Sequence, residues 1–131
     1  MGLDNGFMCK NINKEDVPSW VKLAWDWNDE KNICELVYFR KMWGIRGEIL
    51  DKLHCERNND SCTKVDAEDI IPLVKILHKY LDEKYYDGNA SSIWEYSEAY
   101  DNIQRSIINL IWLKTYMEQH PDAECYFYDS W

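Results

Sequence analysis

Tyr38, Arg40, Lys41, Trp43 and Arg46 crowd aromatic and basic side chains into one short segment. Aromatic faces that stack, next to a guanidinium that donates two parallel hydrogen bonds, suit a nucleotide or another planar anion. These five are the candidate ligand-binding residues. A second reading stands beside it. At about 100° per residue, Arg40, Lys41 and Arg46 do not share one face of a helix. Arg40 could then pair with a buried carboxylate such as Asp4, while the aromatics fill the core.

Other chemistry is thinly supported. His54, Cys55, Cys62 and His78 are the clustered soft ligands, but their spacing matches no zinc pattern. No metal and no cofactor is expected. Cysteines and histidines are present without any flanking signature of a nucleophile. The chain has no Gly-x-Ser-x-Gly elbow and no phosphate-cradling glycine loop. Glu95, Glu98 and Asp101 fall at i, i+3 and i+6, a spacing that could hold Mg²⁺, although a solvated helix face explains it as well. Nothing identifies an enzyme.

Composition bounds the answer. A chain of 131 residues with 46% hydrophobic and 15% aromatic content is expected to form a single globular domain over 1–131. The net charge of −9 repels phosphate backbones, so direct nucleic-acid binding is not expected. A small anion held by local arginines, or a basic protein partner, remains compatible with that charge. Five cysteines, an odd number without a Cys-x-x-Cys, point to reduced thiols. No stretch reaches the ~18 apolar residues of a membrane span. A cytoplasmic location is expected, with no membrane contact. Self-association is neither indicated nor excluded.

The elements that must position these residues follow from pattern. Residues 6–10 read as a strand after the Asn5-Gly6 turn signal, and 19–27 as a second, with Val21, Leu23, Trp25 and Trp27 alternating. Residues 32–54 read as a helix, from the spacing of Ile33, Leu36, Val37, Met42, Ile45, Ile49 and Leu53. Gly44 and Gly47 would then share a face with Arg40, for close packing or for the approach of a ligand. Residues 56–65 read as a polar loop. Asp66 caps a helix running to about Glu83, with Ile70, Val74, Leu77 and Leu81 as its buried stripe. A third helix spans about Ser92 to Gln119, with Ile103, Ile107, Leu110 and Ile111 on one side, and Cys125–Tyr128 form a last strand. The fold expected is α+β: a small, mostly antiparallel sheet, with its N-terminal and C-terminal strands paired and three helices packed on one face.

The opening Met1-Gly2-Leu3-Asp4, the Tyr38-Phe39-Arg40-Lys41 block, Asp60-Ser61-Cys62, the aromatic and acidic segment Tyr85 to Asp101, and the closing Ser130-Trp131 together resemble a family of small uncharacterised proteins of bacteriophages and prophages. Relatives tend to carry a His shortly after the Arg-Lys pair, where this chain has Arg46. The resemblance implies a phage or prophage setting in a bacterial host cell and no particular activity. From setting and segment together, the expected function is a small binding protein that sequesters a nucleotide-like host immune signal. The alternative is an acidic interaction module that inhibits a host protein.

Overall fold

The computed structural model describes residues 4–22, 33–40, 43–55, 62–82 and 93–130. Within them the chain runs β1 (Asp4–Lys10), a short 3-10 turn (Lys14–Asp16), β2 (Ile33–Arg40), α1 (Trp43–Lys52), β3 (Cys62–Val65), α2 (Ala67–Asp82), α3 (Ile93–Gln119) and β4 (Glu124–Ser130). The strands form one antiparallel sheet in the order β2-β1-β4-β3. The two chain-terminal strands pair at its centre, as expected, with Phe7 opposite Phe127 and Cys9 opposite Cys125.

One face of this sheet carries the core. Along β4, Cys125, Phe127 and Asp129 are buried while Tyr126, Tyr128 and Ser130 are half-buried, the period of two that a strand imposes. Asn5, Phe7 and Cys9 lie inward on β1, and Thr63 and Val65 sit opposite Phe127 and Cys125 on β3. Against them pack Ile45, Ile49 and Leu50 of α1, Ile70, Leu73 and Leu77 of α2, and Ile103, Leu110 and Leu113 of α3. The helices cover this face. Cys34, Cys9 and Cys125 stand in register across three neighbouring strands, all buried and all free thiols. The Cys125 and Cys34 thiols that hydrogen-bond to Cys9, together with its burial, push the Cys9 thiol well above its ordinary value. A neutral thiol packs as a small apolar group.

The helices α2 and α3 follow the sequence closely. Asp66 accepts the Asp69 N–H through its carbonyl at 2.9 Å, while the Asp69 side chain accepts the Asp66 N–H at 2.9 Å, a reciprocal cap at the start of α2. On α3 the pattern needs one correction. Ile111 is 48% exposed, and the buried stripe instead includes Asn109, at 0%.

Three further expectations are corrected. Residues 33–40 are strand, and among the described residues of the expected helix only Trp43–Lys52 is helical. The cause is a bulge. The register passes from Phe7 opposite Val37 to Met8 opposite Glu35, so Leu36 is an extra residue, and Leu36 and Val37 are buried side by side. Two adjacent inward side chains after Ile33 imitate the i+3, i+4 spacing of a helix. Residues 19–22 form no strand, and Trp20 is exposed; residues 23–27 lie outside the described residues. The end of the expected polar loop, Cys62–Val65, is the strand β3, which pairs with β4 and buries Val65.

Asn109 holds the bulge. Its Nδ2 donates to the Leu36 carbonyl at 2.7 Å and to the Lys22 carbonyl at 2.9 Å. A bulge frees a backbone carbonyl from the ladder, and in a core that carbonyl needs a donor. Asn109→Ala removes both donors together and is expected to destabilise the fold by about 2–3 kcal/mol. Urea denaturation checks this. A loss near zero would mean that the bulge does not depend on Asn109.

Candidate functional site

The sheet face opposite the helices carries the chemistry. Strand geometry and register lay its residues out in rows across the sheet. Lys64, Tyr126, Met8 and Glu35 form one row from β3 to β2, and Tyr128, Gly6 and Tyr38 lie in the next. Lys10 and Asp4 bracket these rows on β1.

Gly6 is the centre of the arrangement. Tyr128 stands on β4 and Glu35 on β2, with β1 between them. Their backbones are therefore two inter-strand spacings apart, about 9.6 Å. Even so, the Tyr128 hydroxyl donates a hydrogen bond to Glu35 Oε1. The two side chains meet over β1, where Gly6 presents no side chain. A Cβ on Gly6 would lie 3.0 Å from Glu35 Oε1 and far inside van der Waals contact of the Val37 carbonyl oxygen. Beside this pair, the Tyr38 hydroxyl donates to Asp4 Oδ1 at 2.5 Å. Lys10 Nζ lies over the Tyr126 ring, 5.4 Å from its centroid, and the Tyr126 hydroxyl donates to Glu124.

The electrostatics follow from this layout. Glu35 is nearly buried, and desolvation pushes its carboxyl from an ordinary 4.5 up to about 7. The Tyr128 hydrogen bond opposes the shift and the charge of Asp4 adds to it. Burial and the neighbouring Glu35 push the Tyr128 hydroxyl upward, so it stays a donor. The face is polar in both senses: Lys10 and Lys64 are exposed around Tyr126, and carboxylates gather around Tyr38 and Tyr128.

Against this face the sequence-derived candidates divide. Tyr38 belongs to it. Arg40 ends β2 opposite Asp4, the residue proposed from sequence as its partner; Oδ1 of Asp4 accepts the Tyr38 hydroxyl, and the Arg40 side chain lies outside what is described. Lys41 lies outside the described residues. Trp43 opens α1, its side chain likewise not described. Because Arg40 is in a strand, it shares no helical face with Gly44 and Gly47. Arg46 goes to the opposite side of the sheet. It is 5% exposed, and its Nε donates to Asp129 Oδ2 at 2.5 Å within the core. Asn5, opposite Asp129 in the register, is fully buried with neither side-chain amide atom hydrogen-bonded. Sequence reasoning missed Glu35, Tyr126, Tyr128, Lys10 and Lys64. For Tyr126 and Tyr128 the alternation in the last strand was a usable signal. For Glu35 there was none, because the bulge turns it outward.

Cys55 Sγ lies 2.9 Å from Thr63 Oγ1, His54 and His78 are exposed, and the described residues contain no group of three His, Cys, Asp or Glu able to hold a metal ion. Asp101 is exposed on α3, and the side chains of Glu95 and Glu98 lie outside what is described. An open hollow of about 1090 Å³ lies between the end of α3 and the turn after β1. There the Tyr116 hydroxyl accepts the Asn13 N–H and donates to Asp16 at 2.9 Å, and His120 stacks on the Tyr116 ring at 4.0 Å. These groups satisfy one another and tie the turn to the helix.

No known protein family, curated protein or solved structure matches the chain. No helix of the described residues is long and apolar enough to cross a membrane.

Two outcomes test the site. Since the folded protein holds the Glu35 proton up to about pH 7 and the unfolded chain releases it near 4.5, stability is expected to fall as pH rises between those values and then level off. Glu35→Gln removes that slope, as read from urea midpoints across the range; an unchanged slope would assign it to other groups. Gly6→Ala is expected to cost about 2–3 kcal/mol by overpacking, against a small loss for Met8→Ala on the same strand face. Equal stability of Gly6→Ala and the parent would mean that the strands part without strain.

Proposed function

We propose that this protein is a small binding protein whose sheet face opposite the helices takes up a planar, hydrogen-bonding ligand of nucleotide type, and that it acts by sequestration in a phage or prophage setting. The observation that carries the reading is the sheet face of Tyr38, Tyr126 and Tyr128, with Lys10, Lys64 and Glu124 around Tyr126, and Glu35 and Asp4 on the hydroxyls of Tyr128 and Tyr38. Tyrosine rings on a strand platform stack on a base, because every base has a π-face, at about 1–3 kcal/mol per base. A single nucleotide escapes the argument against nucleic acid, since its few charges meet the local lysines before the net charge of −9.

A second reading draws on α3. Ile108 and Ile111 are each 48% exposed on the outer side of the helix, near exposed Asp101 and Arg105. An apolar centre with a charged rim is the anatomy of a protein interface. This favours the acidic module that docks on a host protein.

Thermal unfolding against cyclic dinucleotides, cyclic trinucleotides and ADP-ribose derivatives separates the two. A ligand at a hundred times its dissociation constant stabilises the folded state by about 2.7 kcal/mol. The expected result is a raised melting temperature for at least one nucleotide, reduced in Tyr126→Ala and Tyr38→Ala and retained in Ile108→Glu. Indifference to the whole panel would overturn the nucleotide reading and leave the α3 surface as the leading one.

A further inference from the structure

Three thiols meet at one end of the sheet, on the face away from the proposed ligand. Cys34, Cys9 and Cys125 lie opposite one another on β2, β1 and β4, all buried and all free. We infer that they form a cross-strand clasp that closes by oxidation: one disulfide joins Cys9 to Cys34 or to Cys125 and leaves the third thiol free.

Strand geometry puts the sulfurs within bonding range. Directly opposed residues of antiparallel strands have Cα atoms about 4.5 or 5.5 Å apart, the shorter distance at pairs that exchange no backbone hydrogen bonds. Disulfides span about 4.4–6.8 Å between Cα atoms, so both spacings suit one. The N–H and C=O of a strand residue point toward the same neighbour. Cys9, in the strand between the other two, therefore makes one pair of each kind. The thiols of Cys34 and Cys125 each hydrogen-bond to Cys9. Either bond can thus close without a change of register. The Cys9–Cys125 link would tie the first strand to the last and close a far longer loop than Cys9–Cys34, so it would remove more freedom from the unfolded chain.

Position gives an oxidant its approach. Each of the three stands one residue from a strand end: Lys10 closes β1, Ile33 opens β2 and Glu124 opens β4. The row beyond the thiols is Lys10 with Ile33 and Glu124 opposite, and Lys10 is exposed. The hollow of about 1090 Å³ lies at this same end, with Asn11, Asp122 and Glu124 in its lining. Strand ends open more readily than strand centres, and parting a single row brings the sulfurs toward solvent. The chemistry is exchange with a small disulfide such as oxidised glutathione. One thiol loses its proton, attacks the oxidant and releases one glutathione. The second loses its proton, attacks the sulfur that now carries the other glutathione and releases it. The protein gives up two protons and two electrons, and the oxidant becomes two thiols. The neighbouring thiols and burial keep Cys9 protonated well above its ordinary range, so the reduced form persists until the row opens.

Incubation of the folded parent with oxidised glutathione, then acid quench, alkylation and peptide mapping by mass spectrometry, tests this. The expected result is a cross-link from Cys9 to Cys34 or Cys125, and a melting temperature raised by about 10 °C that dithiothreitol restores. Cys9→Ala should abolish the cross-link. Cys34→Ala and Cys125→Ala should each retain one, on the neighbour that remains, and they carry the test if Cys9→Ala does not fold. Cys9 still fully alkylated after oxidation, linked only once urea has unfolded the chain, or joined instead to Cys55 or Cys62, would overturn the inference.

Discussion

A single absent side chain organises the sheet face opposite the helices. At Gly6 the strand β1 has no Cβ, and in that gap Tyr128 of β4 and Glu35 of β2 meet across a strand that would otherwise separate them. The contact sets the orientation of the Tyr128 ring, buries the Glu35 carboxyl and raises its proton affinity. The residue that makes this possible is chemically empty. Its contribution is space, and the cost of filling that space would fall on the backbone of β2 as well as on the carboxylate.

The bulge at Leu36 is the second half of the same construction. A regular strand would place Glu35 on the side of Val37, in the core. The extra residue changes the parity, so that Glu35 and Tyr38 face outward together and Leu36 and Val37 both turn inward. The irregularity is stabilised from the far side of the sheet, where Asn109 of α3 supplies the donor that the ladder no longer gives. Core and site are thus linked through one backbone carbonyl.

The core face shows how polar groups are accommodated without forming a site. Arg46 and Asp129 satisfy each other's charge out of water, and breaking such a pair would cost about 3–5 kcal/mol, because the remaining partner stays buried and charged. The thiols of Cys34 and Cys125 hydrogen-bond to Cys9, and together with burial they push the Cys9 thiol well above its ordinary value. On the opposite face Lys10 and Lys64 are exposed while Glu35 is buried, and the two signs alternate, with Glu124 opposite Lys10 and Arg40 opposite Asp4.

The sequence by itself determined the α+β class, the pairing of first and last strands, and the helices α2 and α3, because these rest on local patterns: an Asp66 cap, unbroken 3.6-residue periodicity, and alternation from Cys125 to Tyr128. It also marked Tyr38 as a candidate. It could not reveal β2, since a bulge places two inward residues in succession and so counterfeits a helix. Nor could it separate Arg46 from Tyr38, because membership of one face or the other depends on Tyr38 lying in a strand and Arg46 in a helix packed on its other side. Glu35, Gly6 and Tyr128 lie far apart in the chain, and no local pattern connects them. Only the antiparallel register brings them to one spot, and the physical reason is steric: two side chains can bridge three strands only where the middle one has nothing to place between them.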